Sequence, residues 1–561
     1  MKEFKNISRT RAQESSAAIE KMYITMRHLF NRGFYKPMGV SGETLREALL
    51  SLRPEIYGNI AEEKVELNGL LYVIERLPTG IEECRFINLT SDEGYSKSHF
   101  KAIVPPKRKR NCYRIDEEQM NVEITRGRSD IYDILTHLTF IFIESHKIKD
   151  RILLDDGGEV SRDWQKLEQA VLQKKKLSQI EKEKAVSHAS NILGRTFIEV
   201  LNIYDSFGSE LSPDRFLHVI YWLGKLAIEE MVEDTKRIIT FSPILRERLG
   251  HHIHGEIWAN NIKQTLKTNN LLDRPIHVIS ANMHSVMNSI FATTVLKTKF
   301  KDQSDFFIYE ELSKSGANEL RNKVEEFAKT QGMISLPDAA SGTNIDVQIF
   351  DTAKIDWKKT AFPTANTGDK KPVIIVMDYA FGEQAYETID ELLKPFKENK
   401  SLLNVESVSI MGKAGILEGG KGDIMIPSAH INEGTADNYF FENELSAAMF
   451  ENDGIPVFEG PMVTVLGTSL QNKDLLKFFH ESTWGVIGLE MEGSYYQKAI
   501  QSASKIRKSI PNDVKVRYAY YASDNPLETG STLASGGLGT TGVKPTYLIT
   551  IKILEQIFNV K

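Results

Sequence analysis

The sequence is poor in cysteine. Its 561 residues hold only Cys84 and Cys112, which excludes a disulfide framework and any cysteine-rich metal site. It also lacks a long apolar run: the longest, around Leu138–Ile143, is far too short to span a bilayer. Met1–Ser8 has neither an apolar core nor a cleavage site, so no secretory signal is expected. There is no surplus of positive charge. The formal net charge is -6, whereas a dedicated nucleic-acid binder is normally basic. Internal repeats and long low-complexity segments are missing too. These absences point to a cytoplasmic chain without nucleic-acid or membrane partners.

What is present is ordinary for a globular protein, with 41% hydrophobic and 26% charged residues. The length exceeds what one core organises, so two or three domains are expected. The periodicity predicts an α+β region over 1–128, a mostly helical region over 129–272 and a small α/β segment over 273–360. A linker over 361–372 (Ala-Phe-Pro-Thr-Ala-Asn-Thr-Gly-Asp-Lys-Lys-Pro) then leads into an α/β domain over 373–561.

In the first region, apolar residues at helical spacing predict a helix from Arg11 to Phe34, closed by Gly33. A second helix runs to Leu52, with Ser41 as its N-cap. Leu70–Arg76 and Glu82–Leu89 read as strands joined at Pro78-Thr79-Gly80. The basic run Lys107–Arg110 reads as a solvated loop. In the helical region, Trp164–Lys184 is a charged, exposed helix face and Phe216–Val232 a buried helix. His251-His252-Ile253-His254 lacks a carboxylate at known ligand spacing, so no metal is expected, nor any cofactor. Residues 274–356 alternate: strand Ile276–Ser280, helix His284–Thr298, strand Phe306–Tyr309, helix Asn318–Thr330, strand Ile345–Phe350.

Beyond the linker, Val373–Met377 has the continuous apolar character of a strand buried on both faces. It leads through Glu383 into a helix starting near Gln384, and ligands of open α/β sheets bind beyond such strand ends. The next strand, Val405–Met411, is followed by Gly412-Lys413-Ala414-Gly415. Ile487–Gly493 then ends an apolar run in two carboxylates, Glu490 and Glu492, which point to opposite faces if the strand continues. One is suited to a ligand and the other to backbone donors.

Gly412-x-Ala-Gly415, Gly422-Asp423 entering a strand, strand Met462–Leu466 ending in Gly467-Thr468-Ser469, Glu490-Met491-Glu492-Gly493 and Ser523-Asp524 follow one another in that order. In this they resemble the signature of the purine-type nucleoside phosphorylase and nucleosidase superfamily. The resemblance covers about residues 372–561. It implies a three-layer α/β/α fold and cleavage of a ribosyl N-glycosidic bond, a reaction that passes through an oxocarbenium-like state. On the matching positions, Glu492 would hold the ribose hydroxyls with Met491 packing on the sugar. Asp524, beside Ser523, would protonate the departing base. Glu383 would orient and deprotonate water. Glu490, Gly415 and Lys413 would complete the pocket wall, and Leu470 stands where the family often stacks a phenylalanine on the base.

Phosphorylases of this superfamily place an arginine three residues before the position of Lys413. This chain has Ile410 there, which cannot neutralise phosphate, so hydrolysis is expected over phosphorolysis. A nucleotide-binding regulator without turnover is the other reading. The expected partners are a small purine nucleoside or nucleotide and further copies of the chain. The Gly/Ser/Thr-rich stretch Thr529–Gly542 formally contains G-x-G-x-x-G but follows no apolar strand; a mobile lid, a nest for a substrate phosphate and a simple connector all fit it. Tyr547–Val560 reads as a closing helix.

Overall fold

The computed structural model describes residues 10–155, 157–173, 177–208, 212–396, 402–435, 437–528 and 539–560. The chain divides into two compact units. The first comprises Met1–Thr125, Asp130–His251 and Gly467–Leu475; the second comprises Arg126–Ser129, His252–Leu466 and Leu476–Lys561. Among the described residues no helix is long and apolar enough to cross a membrane. Most of Thr529–Gly542 lies outside the described residues; Gly539–Gly542 is a short turn ahead of helix Val543–Ile557.

In the first unit, β1 (Phe34–Tyr35), β2 (Phe86–Thr90), β3 (Cys112–Arg114), β4 (Gln119–Glu123) and β5 (Ile238–Phe241) form one sheet in the order β1-β5-β2-β4-β3. Helix Arg11–Arg32 opens with a capping box between Thr10 and Gln13 and closes at Gly33, φ +91°. The following helix, Val40–Leu52, starts two residues earlier than expected. Gly39 is its N-cap, and Ser41 lies in its first turn.

Leu70–Arg76 is not a strand. Helix Leu67–Ile74 forms instead, because the Glu66 carboxylate accepts the N–H groups of Asn68 and Gly69 and supplies the missing cap. Pro78–Gly80 accordingly leads into a short 3-10 turn, Ile81–Glu83, rather than a hairpin.

The basic run is not simply solvated. Arg108 Nη2 meets Asp133 Oδ1 at 2.6 Å, and Arg110 Nη2 meets Asp130 Oδ1 at 2.8 Å. Burial works against ionisation of Asp133, yet Arg108 and His137 hold its carboxyl well below the usual range.

The second unit carries a mixed sheet. Its strands are β6 (Ile276–Ser280), β7 (Met333–Leu336), β8 (Val347–Asp351), β9 (Val373–Met377), β10 (Val405–Ile416), β11 (Ile424–Asn432), β12 (Asn438–Phe440), β13 (Val457–Thr464), β14 (Gly488–Glu490) and β15 (Lys515–Asp524). The order is β12-β11-β13-β14-β10-β6-β9-β8-β7, and β15 pairs with both β10 and β11. The pairings β10–β15–β11–β13–β14–β10 therefore close a ring of five strands, from which β6, β9, β8 and β7 extend as an open sheet.

Residues 273–360 are thus not a separate segment, and 361–372 is no domain boundary. Every residue of β6 is buried, so both its edges need partners; it finds β9 and β10, from beyond the expected linker, both parallel to it.

Successive residues of these strands alternate between two apolar clusters. Val373, Ile375 and Met377 join Trp258, Ile262, Ala385, Ile389 and Ile500. Ile374 and Val376 join Val286, Phe291, Val324, Ile549 and Ile553. Each fully buried aliphatic side chain contributes about 1.5–3 kcal/mol, so this period-two pattern holds helices on both faces of the sheet. Phe306–Tyr309, expected as a strand, lies in helix Asp305–Ser313, which the Ser304 hydroxyl caps at the Phe307 N–H. Helix Asn318–Thr330 has its expected bounds, whereas β7, β12 and helix Ile253–Thr268 were not expected.

Candidate functional site

β10 runs past its expected end at Met411 through Gly412-Lys413-Ala414-Gly415 to Ile416, with a register shift against β15 between Ala414 and Gly415. The glycines serve a close crossing. A Cβ on Gly415 would lie 2.7 Å from Leu489 Cδ2, and one on Gly488 would lie 2.6 Å from the Gly415 carbonyl. β14 can therefore pair antiparallel with the end of β10 on one edge, Gly415 opposite Leu489. β15 pairs along β10 with Gly415 opposite Asp524. The carboxylates after β14 and at the end of β15 are thereby brought to the same stretch of β10.

Glu490 and Glu492 have different surroundings. The Glu490 carboxylate accepts the backbone N–H groups of Glu492 (2.5 Å) and Gly493, and the Thr464 hydroxyl. It thus satisfies the open N-terminus of helix Gly493–Gln501, with His430 Nδ1 3.3 Å away. Gly493 has no room for a side chain: a Cβ would lie 2.3 Å from His430 Cε1. Glu492 turns toward the loop after β9, where its Oε1 accepts the Gly382 N–H at 2.8 Å. Burial, and then the charge of Glu490, push the Glu492 carboxyl up to about 8, against hydrogen bonds from Gly382 and Met491 and the charge of Lys413.

Asp524 is 2% exposed. Ser523 Oγ lies 2.6 Å from its Oδ1 and 3.1 Å from the Ala414 carbonyl, so one hydroxyl proton serves two acceptors. Asp524 Oδ2 is buried with no hydrogen-bond partner in the protein. Burial raises the Asp524 carboxyl above the usual range, while Ser523 and the charges of Lys421 and Lys413 oppose it. Lys413 acts on both Glu492 and Asp524, which places its charge within reach of each. Met491 is partly buried beside them.

Glu383 stands one residue beyond Gly382, at the start of helix Gln384–Leu392. Arg128 Nη1 lies 3.4 Å from its Oε1, and its Oε2 is buried without a partner. The Ser129 hydroxyl accepts the Glu383 N–H at 2.8 Å. The segment Arg126–Ser129 was missed in the sequence, where the break at 128/129 cut through it. Gly127 at φ +77° would place a Cβ 3.2 Å from Glu387 Oε1, and Arg126 lies 4.8 Å from the Phe381 ring centre. Glu387 was missed as well: burial, then Glu383, push its carboxyl up to about 8, and Arg128 opposes this. A basic Arg-Gly-Arg-Ser between a strand and a helix was the available signal.

Lys413, Gly415, Glu490, Met491, Glu492, Ser523 and Asp524 thus gather at one set of strand ends, with Glu383 joined through the Gly382–Glu492 bond. Leu470 belongs to the first unit, as part of Gly467–Leu475, where it is 5% exposed. The histidine run is also accounted for in part, since His254 Nδ1 bonds the Ser341 carbonyl at 2.6 Å.

Fold and site define a mixed α/β protein with enclosed carboxyl groups at converging strand ends. The chain belongs to the Family of unknown function (DUF6909), whose model matches residues 43–301 and 293–559. No curated protein matches it. Similar solved structures include the 5'-methylthioadenosine/S-adenosyl homocysteine nucleosidase of Helicobacter pylori (12% identity, 50% of this chain, 98% of that one, TM-score 0.31). Others are the futalosine hydrolase of Helicobacter pylori strain 26695 (12%, 50% and 98%, 0.29) and a uridine phosphorylase of Schistosoma mansoni in complex with thymidine (10%, 51% and 87%, 0.30).

Proposed function

We propose that the second unit hydrolyses the N-glycosidic bond of a purine nucleoside or nucleotide. The observation that carries this reading is the pair of buried carboxylate oxygens without protein partners, Glu383 Oε2 and Asp524 Oδ2. Buried polar atoms are nearly always paired, and these two stand at the strand ends where the motif residues gather, which supports a bound molecule there. The motif order in the sequence supplies the chemistry.

Asp524, raised by burial, is suited to deliver a proton to the leaving base. Glu492 accepts from the ribose hydroxyls and favours the positive charge that grows on the sugar. Met491 covers the sugar face, and Glu383 orients the attacking water. Lys413 offsets charge that accumulates on the acids. Ile410, buried in β10, leaves the arginine position of phosphorylases empty of charge, which favours water over phosphate as nucleophile.

Incubation of the full chain with AMP, adenosine, inosine and methylthioadenosine, with and without phosphate, tests the reading by chromatography of free base. Release without phosphate is expected. Release only with phosphate overturns hydrolysis in favour of phosphorolysis. No release from any substrate overturns catalysis. A second reading, a nucleotide-binding regulator, is favoured by the Arg128–Glu383 pair, which ties up the oxygen opposite the free one. Ligand-induced thermal stabilisation without turnover distinguishes it.

A further inference from the structure

A second polar cluster lies at the other end of the same strands. β6, β10 and β15 run parallel, with His277, Ser407 and Lys515 abreast, and Ser409 and Arg517 abreast two residues further on. Arg517 is 2% exposed. Its Nε donates to Gln556 Oε1, but its Nη1 is buried without a hydrogen-bond partner. Among the described residues no carboxylate stands within ion-pair distance of it. Burial pushes this guanidinium down to about 10, with the charge of Glu444 working against it.

A guanidinium buried without a counter-ion is costly, because nothing replaces the solvation its charge has lost. Folding tolerates that cost where a ligand later meets the charge. His277 Nδ1 bonds Ser407 Oγ at 2.7 Å. Burial, then Arg517 and Lys515, push His277 down to about 4, so it is a neutral donor or acceptor at pH 7.

A cavity of about 480 Å³ opens onto this cluster, with Arg517 and His277 among its buried lining residues. Its exposed rim is mixed in sign: Lys370 and Lys515 stand with Asp369, Glu406 and Asp513. The volume falls in the range of small-molecule sites, roughly 300–1,000 Å³. The floor carries Arg517 and His277, and Glu406 Oε2 stands 3.8 Å from His277 Nε2. Arg517 and Asp524 stand seven positions apart in β15, roughly 20 Å of strand, so the cavity is distinct from the carboxyl groups at the far strand ends.

We propose that this cavity is a second ligand site, which takes a small metabolite by its oxyanion head, a carboxylate or a phosphate, seated on Arg517. The guanidinium fork offers two parallel donors to either head group, and the neutral His277 adds a hydrogen bond without a competing charge. The mixed rim then meets the polar remainder of the molecule.

Isothermal titration of the full chain with inorganic phosphate, and separately with citrate, at constant ionic strength tests the proposal and tells the two head groups apart. Saturable binding of at least one is expected, unchanged in Asp524→Asn and Glu492→Gln. Arg517→Lys keeps the charge but loses the fork and should weaken binding about tenfold or more. Lys370→Ala changes an exposed rim residue with little risk to folding and should weaken binding several-fold. If Arg517→Lys does not fold, the Lys370 variant decides. No saturable binding of either anion, unchanged affinity in the folded variants, or loss of binding in Asp524→Asn each overturns the proposal.

Discussion

Replacing Glu492 by glutamine should remove a defined part of the pH dependence of stability. The folded carboxyl is pushed up to about 8 from an ordinary value of 4.5. Between those values the native state keeps a proton that the unfolded state has released. The wild type therefore loses stability as pH rises through that window, at up to about 1.4 kcal/mol per pH unit. Above pH 8 both states have released it and the loss stops. Integrated, the limit is on the order of 5 kcal/mol; because Glu492 keeps partial exposure, about 2–3 kcal/mol is the expected size after solvent screening.

Glutamine keeps an oxygen for the Gly382 N–H and titrates nothing. Its unfolding free energy relative to wild type should thus be lowest near pH 5, climb to pH 8 and then level off. Urea unfolding in half-unit steps from pH 5 to 9 at fixed ionic strength measures this. Glu387 at about 8, with Glu144 and Glu433 at about 7, titrates in both proteins and cancels in the difference. Parallel curves for the two proteins between pH 5 and 8 would refute the reasoning.

Asp524→Asn should cut base release by about 10²–10⁴-fold with the circular dichroism spectrum intact. Wild-type activity should fall as pH rises through the raised Asp524 value, because the acid form is the one that donates; a flat alkaline limb counts against Asp524 as the acid. Gly493→Ala forces a Cβ against the buried His430 ring and should cost about 2–3 kcal/mol in urea unfolding. Arg128→Met removes the cation that favours ionised Glu387, so it should destabilise the protein more at pH 9 than at pH 6. Equal loss at both values would show that Arg128 acts by packing alone.

Long apolar runs and the closing Gly33 were legible in the sequence. Val373–Met377 and Ile276–Ser280 are strands with the bounds that their composition gave, because residues buried on both faces have little alternative. Helix Arg11–Arg32 follows from Thr10, Gln13 and Gly33, all local in the chain. Short apolar runs were ambiguous: Leu70–Arg76 and Phe306–Tyr309 suit a strand as well as a helix turn, and caps at Glu66 and Ser304 decided them. The small residues around Lys413 signalled a close approach, because a glycine leaves room for a ligand or a neighbouring strand. Gly415 admits the strand, and only the crossing of β14 reveals which.

The sequence by itself determined the candidate acids and their order along the chain: Glu383, Glu490, Glu492 and Asp524. Of the two acids at the end of β14, the sequence pattern pointed to Glu490 for backbone donors; tertiary structure alone supplied the partners of each. Glu490 caps a helix while Glu492 reaches a loop 110 residues away. Arg128 meets Glu383 across 255 residues, and Arg517 ends beneath a cavity with an unpartnered donor. Protonation and pairing depend on burial and on the distances between charges, and for residues this far apart in the chain only the folded arrangement sets those distances.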